Sequence, residues 1–252
     1  MTGEDLVEAA SGDTEQVRRL LAGGLSPDAP DEDGTTALYR AAVQGEADIV
    51  RMLLEAGADP NRESGGDVEG LPLCGAACWG HLDAVTVLLD AGADPDRRED
   101  VGRSAMAPLH WAASNAHLTT VSTLLARGAD PDVRDSAGGT ALARAAGHGS
   151  AAVVRALLDH GADPAPTDNL GHTPLDHARR HAGRDPEAEV LALAGERAPT
   201  GRRVTVRREQ SEGGEVQVVA EVWEAAGDLR SETWLGIGHA EIVRLLEART
   251  RP

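Results

Sequence analysis

Apolar residues recur along the chain in short segments whose spacing fits one face of a helix. Five segments share a valine followed three and four positions later by leucines, and they read VRRLLAGG, VRMLLEAG, VTVLLDAG, VSTLLARG and VRALLDHG. Alanine-rich segments of a second type alternate with them, and these read TALYRAAVQG, LPLCGAACWG, APLHWAASNA, TALARAAGHG and TPLDHARRHA. The alternation predicts pairs of short amphipathic helices.

A four-residue string separates these pairs at a nearly constant period. Gly-Ala-Asp-Pro begins at Gly57, Gly92, Gly128 and Gly161, and a degenerate copy begins at Gly24. The spacings are 33, 35, 36 and 33 residues. No unit of this size can bury its apolar face alone, so the period predicts a stack of helical units with one continuous core.

The combination of this period with T-P-L-H-x-A-like first helices resembles the ankyrin repeat. The likeness covers most of residues 1–183 and resumes at 238–248, where the chain reads GHAEIVRLLEA. It implies a single all-α solenoid over 1–252, with loops called fingers between successive helix pairs. The expected repeats are 1–34, 35–70, 71–105, 106–139, 140–172 and 173–252. The histidine of the motif is present at His110 and is replaced in the other copies.

An insertion at 184–237 interrupts the last predicted repeat. A helical stretch near DPEAEVLALAG precedes RRVTVRRE and EVQVVAEVW, which alternate like the two strands of a β-hairpin. In one interpretation the hairpin caps the open end of the stack with Val204, Val206, Val216, Val218 and Val219. In the other it docks a partner, because five arginines cluster in an otherwise acidic chain: Arg197, Arg202, Arg203, Arg207 and Arg208.

The resemblance implies a binding groove between the fingers and the first helices. Positions four apart share one helical face, so one row of side chains can be placed there. In order along the chain, the row is Arg40 and Gln44, Gly75 and Trp79, Trp111 and Asn115, Arg144 and His148, and His177 and His181. Arg180 adds positive charge at the C-terminal end of this row. We expect partners to bind along it.

Two fingers are longer than the rest, at 61–70 and 96–106, and they lead into the helices that carry Trp79 and Trp111. Loops on a rigid scaffold often carry function, and tryptophan is a favoured interface anchor. We expect Trp79, beside a helix-ending glycine, to bind a partner. Trp111 is open to a second interpretation, in which it packs between neighbouring helices.

Histidines and cysteines offer weaker chemical candidates. His148 and His181 occupy one slot in adjacent repeats, and His177 lies one turn from His181, so three imidazoles are candidates for a metal, anion or acid–base site. Cys74, Cys78 and His81 also have ligand-like spacing. Small core cysteines and exposed or structural histidines are the alternative, so we expect no catalytic residue, no metal and no cofactor.

Composition narrows the function classes. The chain has 252 residues and a net charge of −18, and all 24 of its basic residues are arginine. Without lysine there is no Schiff-base or P-loop lysine, and a net acidic chain is a poor ligand for nucleic acid. The five aromatic residues are too few for a large globular core but suffice for a thin core of alanine and leucine.

The N-terminal segment lacks the charge and apolar pattern of a signal peptide, and no stretch has the length of a membrane span. We therefore expect a cytoplasmic protein, and we expect a monomer. The excess of Ala, Arg, Gly and Asp is typical of a GC-rich bacterial genome.

The sequence favours recognition of another protein over enzymatic activity. Because this chain is acidic, we expect the partner to carry a basic patch. Two alternatives stay open. One is a small-molecule or catalytic pocket formed by Trp79, Trp111 and the three histidines, and the other is an accessory subunit that docks on an enzyme through the hairpin.

Overall fold

The computed structural model describes residues 2–65, 70–99, 104–197, 203–223 and 229–250. The tips of the two longer fingers, at 66–69 and 100–103, lie outside the described residues. The fingers and the helices on either side of them are otherwise described. The described part of the groove therefore consists of the helices, the shorter fingers and the bases of the longer fingers.

Five helix pairs follow one another from the N-terminus. They are α1 (Gly3–Ala9) and α2 (Thr14–Ala22), α3 (Ala37–Gln44) and α4 (Ala47–Glu55), α5 (Pro72–Cys78) and α6 (Leu82–Asp90), α7 (Pro108–Ser114) and α8 (Leu118–Ala126), and α9 (Ala141–His148) and α10 (Ala151–Asp159). Each first helix packs against the first helices of its neighbours, and each second helix packs against the neighbouring second helices.

The C-terminal part adds helices and a small sheet. Its elements are α11 (Pro174–His181), α12 (Pro186–Arg197), β1 (Arg203–Gln210), β2 (Val216–Trp223), β3 (Leu229–Gly236) and α13 (His239–Thr250). Helix α13 packs against α11 and α10, in the place of the second helix that would follow α11 in the stack. The predicted fold class, a helical repeat stack with a small β element, is confirmed.

The β element is larger than the predicted hairpin. Strands β1 and β2 pair antiparallel as expected, with Val206 opposite Ala220, and β3 adds a third antiparallel strand on the other side of β2. Strand β3 reads LRSETWLG, which has no clear apolar alternation. The third strand was therefore not recognisable from the pattern that revealed the other two.

Capping residues explain where the first helices begin. In four of them a threonine hydroxyl accepts a hydrogen bond from the third backbone N–H of the helix, and these are Thr2, Thr36, Thr140 and Thr173. Proline occupies the first helical position at Pro72, Pro108 and Pro174, where its missing N–H costs no hydrogen bond. The repeated sequence motif is therefore a set of helix starts.

One apolar core runs through the stack. It extends from Leu6 in α1 to Leu246 in α13 and is dominated by alanine and leucine. The paired alanines of the first helices are fully buried, namely Ala41, Ala42, Ala76, Ala77, Ala112, Ala113, Ala145 and Ala146. Small side chains allow neighbouring first helices to approach closely, so the core needs few aromatic rings.

The sheet has a small core that is separate from the core of the stack. Val218, Ala220 and Val222 of β2 pack with Val190 and Ala194 of α12. Val204, Val206 and Leu235 join the same cluster. Val204, Val206 and Val218, three of the five valines in the capping interpretation, therefore pack in the cluster with α12 and not in the core of the stack.

The turn between β1 and β2 binds the sheet back onto earlier repeats. Glu212 Oε2 accepts a hydrogen bond from the backbone N–H of Thr119 at 3.1 Å, in the first turn of α8. Glu215 accepts from Ser150 Oγ at 3.0 Å and from the backbone N–H of Ala152 at 2.8 Å, at the start of α10. Carboxylates at helix N-termini are favourable because they meet unpaired N–H groups and the positive end of the helix dipole.

The end of β3 lies against the end of α9. The backbone N–H of Gly238 donates to the carbonyl of Gly149 at 3.0 Å. A Cβ placed on Gly236 would lie 2.5 Å from the carbonyl oxygen of Gly149, so only a glycine allows this approach. His239 Nε2 donates to the carbonyl of Gly147 at 3.0 Å. The sheet is thus attached to the stack by its turn and by its last strand.

His110, the one copy of the motif histidine, is the third residue of α7, and Ala107 occupies the capping position that threonine holds in other first helices. Its Nδ1 accepts a hydrogen bond from the backbone N–H of Ala107 at 3.1 Å, which leaves Nε2 protonated to donate to the carbonyl of Gly139 at 3.1 Å. The side chain is fully buried. Desolvation by burial lowers the pKa of His110 even though Asp135 opposes the shift.

The depressed pKa of His110 predicts a loss of stability in acid. As pH falls through about 6.5, the unfolded chain takes up a proton that the buried imidazole in the folded protein resists, so acidification favours unfolding. We expect His110→Gln to reduce the stability difference between about pH 7 and about pH 5.5 by about 1 kcal/mol, as measured by urea unfolding at both pH values. The control is His160→Gln, at the exposed end of α10. Equal pH slopes in wild type and His110→Gln would contradict this.

Candidate functional site

A cleft of about 650 Å³ lies in the C-terminal half of the groove, between the fingers and helices α7, α9 and α11. The predicted groove residues that line it are Trp111, Asn115, Arg144, His148, His177 and His181. They come together because the repeat period puts the same helical face of each unit on the same side of the stack. A cleft of this volume falls in the size range of protein ligand sites.

Strand β3 forms part of the cleft wall. Thr233, Trp234 and Leu235 line the cleft together with the first helices. The sequence did not predict this contribution, since β3 lies in the insertion and outside the repeat period. Trp234 is one of the four tryptophans of the chain, and that scarcity was the available signal. The insertion thus contributes three residues to the lining of the cleft.

Carboxylates at the bases of the fingers hold the cleft side chains of α9 and α11. Asp135 Oδ2 accepts a hydrogen bond from Arg144 Nε at 3.0 Å, and Asp168 Oδ2 lies 3.0 Å from His177 Nε2. In each case the carboxylate precedes its partner by nine positions in the sequence. Both aspartates begin an Asp-x-x-Gly sequence typical of a turn, at 135–138 and 168–171, and that sequence does not indicate this second contact.

The same arrangement occurs one repeat earlier with different chemistry. Glu99 Oε2 accepts a hydrogen bond from Trp111 Nε1 at 3.1 Å. The Trp111 ring is half-buried and its N–H is therefore fixed by the finger, while the ring lines the cleft.

Asp135 is the most buried of these carboxylates, with a fully buried side chain. Its Oδ1 accepts from the backbone N–H of Gly139 at 2.8 Å, and its Oδ2 accepts from both Nε and a terminal nitrogen of Arg144. A buried carboxylate is tolerable when it is paired and fully hydrogen-bonded. The guanidinium of Arg144 is thereby fixed at the cleft wall.

The three predicted histidines line the cleft, but two of them have separate acidic partners. His177 contacts Asp168, whereas His181 Nδ1 lies 2.7 Å from Glu189 Oε1 on α12. The ring of His181 also lies 5.2 Å from the ring of His239, between centroids. The candidate three-imidazole cluster is therefore divided between the last finger and the insertion.

A family model for ankyrin repeats, in three copies, matches residues 6–99 and 102–197. The chain belongs to the ankyrin repeat family. An ankyrin repeat-containing protein of Schizosaccharomyces pombe is 38% identical over 55 residues, which is 22% of this chain and 27% of that protein. The chain therefore spans about a quarter of the length of this curated relative. Ankyrin repeats are generally protein–protein interaction modules, and that general role is the one the family supports here.

Besides the buried Gly75, four predicted groove residues of this ankyrin protein lie outside the cleft. Trp79 ends α5 and is 60% exposed, which is unusual for so large an apolar side chain. Arg40 is half-buried, and Gln44 and Arg180 are exposed. Arg40, Gln44 and Trp79 extend the predicted groove toward the N-terminus, where one of the longer fingers also lies.

Asn115 links the cleft to the repeat that carries Trp79. Its Nδ2 donates to the carbonyl of Cys78 at 2.8 Å and lies 3.3 Å from the sulfur of the same residue. This side chain is therefore fixed between α5 and α7. A change at Asn115 would alter both the cleft and the position of Trp79.

The cysteine set of this ankyrin protein does not converge on one point. Cys74 is buried, and its thiol lies 3.7 Å from the carbonyl of Met106. His81 Nε2 instead contacts the carbonyl of Val43 at 3.0 Å. Burial raises the pKa of the Cys74 thiol well above its usual value. These contacts fit small core residues.

The arginines of the insertion whose side chains are described are used within it. Arg207 pairs with Glu209 and Glu221, and Arg208 pairs with Glu187 of α12 at 2.8 Å. Arg202 lies outside the described residues, as do the side chains of Arg197 and Arg203. Since Arg207 and Arg208 neutralise local carboxylates, they give little support to a basic docking surface.

A larger cleft, of about 770 Å³, lies on the outer side of the ankyrin stack, against α4 and α6. Asp48, Glu55, Asp83 and Asp90 line it together with Arg51. Arg51 already pairs with Asp48 at 2.7 Å. This cleft contains neither an aromatic ring nor an imidazole, so we regard the smaller cleft in the groove as the candidate site.

Membrane insertion of a helix receives no support from the described part of the chain, in which every helix is too short or too polar to span a bilayer.

Proposed function

We propose that this ankyrin repeat protein binds a partner protein along the groove and that the cleft receives an anchoring side chain of that partner. The observation that carries the proposal is the cleft itself, where predicted groove residues from three repeats lie beside β3. Interfaces depend on a few buried anchors in preformed pockets. A cleft with Trp111 and Trp234 in its lining offers such a pocket for an apolar or aromatic side chain.

Preorganisation supports the same proposal. Glu99, Asp135 and Asp168 hold Trp111, Arg144 and His177 in place before any partner arrives, as described above. Binding then immobilises fewer side chains, and less conformational entropy is lost.

The charge of the chain supports a partner with a basic patch. The net charge of −18 attracts positively charged surfaces and accelerates their encounter. Within the cleft, Arg144 is already paired with Asp135, so its charge is locally balanced. We therefore propose that charge guides the approach, and that the apolar walls of the cleft and exposed Trp79 provide most of the affinity.

Replacing the two groove tryptophans tests this function. We expect Trp111→Ala and Trp79→Ala each to weaken binding of the partner at least about tenfold, because each removes a large contact surface. For Trp79→Ala, the free energy of unfolding should stay nearly unchanged, since the side chain is 60% exposed. The control is Arg51→Ala, which truncates an exposed side chain on the outer face of the stack.

The measurement begins with proteins captured by wild-type chain from its source cells. A true groove partner is retained by Arg51→Ala and lost with both tryptophan variants, and its dissociation constants are then measured with purified proteins. A partner that both tryptophan variants bind normally would refute the groove as the binding surface. A stoichiometric small molecule in place of a protein would favour the pocket alternative.

A further inference from the structure

Two histidines and an aspartate meet at the last finger of the solenoid. Asp168 lies in the finger, His172 directly precedes the helix cap at Thr173, and His177 lies on α11. One donor atom from each of the three side chains lies within 4.8 Å of the other two. Asp168 Oδ2 is 3.0 Å from His177 Nε2 and 3.6 Å from His172 Nδ1.

The finger turn fixes the carboxylate in this position. Asp168 Oδ1 accepts hydrogen bonds from the backbone N–H groups of Leu170 and His172, both at 2.9 Å, which leaves Oδ2 to face the two rings. Desolvation opposes ionisation, but these hydrogen bonds and the one from His177 lower the pKa of Asp168. The group is therefore an ionised oxygen ligand at neutral pH.

His172 adds a donor atom with no other assignment. Its Nδ1 is buried and has no hydrogen-bond partner among the described residues. The rings of His172 and His177 meet edge to face, with centroids 5.7 Å apart. A buried ring nitrogen beside an ionised carboxylate and a second imidazole is an arrangement that a bound cation would satisfy.

The preceding repeat has residues at the same three positions that cannot form a metal site. One repeat earlier, Asp135 corresponds to Asp168, and Gly139 and Arg144 occupy the positions of His172 and His177. There the carboxylate is neutralised by a guanidinium, which is always protonated and is no metal ligand. The last repeat keeps the carboxylate and replaces its two neighbours with imidazoles.

We propose that Asp168, His172 and His177 bind one divalent transition-metal ion of the zinc class. Two imidazoles and a carboxylate favour such an ion over Mg²⁺ or Ca²⁺, which prefer oxygen ligands alone. Ligands about 2.0–2.1 Å from a tetrahedral Zn²⁺ lie about 3.3–3.4 Å from one another. The two distances to Asp168 Oδ2 lie on either side of that value, so small side-chain movements suffice.

Binding moves a hydrogen on His177. Nε2 lies 3.0 Å from Asp168 Oδ2 and must be free of hydrogen to become a ligand, so in the neutral ring the hydrogen moves from Nε2 to Nδ1 and no proton is released. Three protein ligands leave a fourth position for water or for a donor atom of a bound molecule. Since Asp168 and His177 line the cleft, the ion lies at the cleft wall. The metal site does not depend on the proposed protein partner.

Titration of untagged, chelator-treated protein with Zn²⁺ in a calorimeter tests the site, and Co²⁺ serves as a spectroscopic probe. We expect one ion per chain and a visible Co²⁺ spectrum of low coordination number. His172→Ala should weaken Zn²⁺ binding at least about tenfold, because it removes one of three ligands. His160→Ala, an exposed histidine at the end of α10, is the control and should bind Zn²⁺ as wild type does.

A second variant separates loss of metal binding from loss of the folded structure. His172→Gly combined with His177→Arg rebuilds the arrangement of Asp135, Gly139 and Arg144, so it should remain folded by circular dichroism and should bind no Zn²⁺. Absence of stoichiometric binding by the wild type would overturn the proposal. Binding that survives in this double variant, or that His160→Ala abolishes, would place the ion elsewhere and overturn it equally.

Discussion

Replacing Gly149 with alanine is expected to lower the free energy of unfolding by about 3 kcal/mol or more. Gly149 ends α9 with φ of +84°, where an L side chain costs about 1–2 kcal/mol. The added Cβ would also lie 2.3 Å from the carbonyl oxygen of Gly236 and 2.5 Å from Cε1 of His239. Backbone atoms on both sides would have to separate, and the insertion would lose its close contact with the stack.

Gly161 provides a matched control for this experiment. It has φ of +90°, close to that of Gly149, but a Cβ there meets no atom within 4 Å. Gly161→Ala should therefore cost only the backbone term, about 1–2 kcal/mol. Chemical denaturation of both variants separates the two contributions. Equal losses of stability would mean that the junction between β3 and α9 contributes nothing.

The second large effect is expected at the buried carboxylate of the cleft. Asp135→Asn should destabilise the protein by about 3 kcal/mol, because an amide cannot neutralise Arg144 and its NH₂ group would face the guanidinium donors. The side chain of Asp135 is fully buried, so water cannot replace the lost interaction. Denaturant unfolding measures the loss, and the variant should also release Arg144 from the cleft wall.

Asp31→Asn is the corresponding control, since Asp31 occupies the same position in an earlier finger. Its Oδ1 accepts hydrogen bonds from the backbone N–H groups of Asp33 and Thr35, and the carbonyl oxygen of an asparagine can accept the same bonds. We expect a loss below about 1 kcal/mol, typical of a substitution that keeps its hydrogen bonds. A loss as large as that of Asp135→Asn would show that the turn, and not the ion pair, carries the effect.

Repetition is the reason that much of this structure could be predicted. A position such as Arg144 has equivalents at Trp111 and His177, so a single argument about helical faces placed several side chains in one groove. Four of the first helices begin at a capping threonine, and three of these threonines open the repeated motif of the sequence, at Thr36, Thr140 and Thr173. The prediction of a binding row therefore rests on the period and not on any single residue.

The insertion lacks that period, so its contacts with the repeats could not be predicted from the sequence. Glu215 meets Ser150 across 65 positions of sequence, and no local pattern indicates such a contact. The sequence does not predict strand β3, because its apolar residues do not alternate. The position of Trp234 in the cleft lining is therefore not predicted either. Long-range docking depends on shape and backbone approach, which a single sequence does not display.

His172 was missed for a different reason. The binding row considered helix positions four apart, whereas His172 belongs to a finger and reaches the site through the turn that Asp168 nucleates. Its Nδ1 lies 3.6 Å from Asp168 Oδ2 only because the turn reverses the chain direction. The pattern Asp-x-x-x-His, followed by a histidine on the next helix, would have been the signal.

The position of α13 has a consequence for how the chain folds. Each of the earlier helix pairs is assembled from neighbouring segments, so it forms with low contact order and can fold rapidly. Helix α11 instead meets its partner across residues 182–238, after the whole insertion has been made. Closing that long loop adds little to the equilibrium cost, because loop entropy grows slowly with length, but it makes the last repeat a late event in folding. On the ribosome, a nascent chain that ends before α13 exposes the apolar flank of α10 and α11, and this intermediate is the one most exposed to chaperones and aggregation.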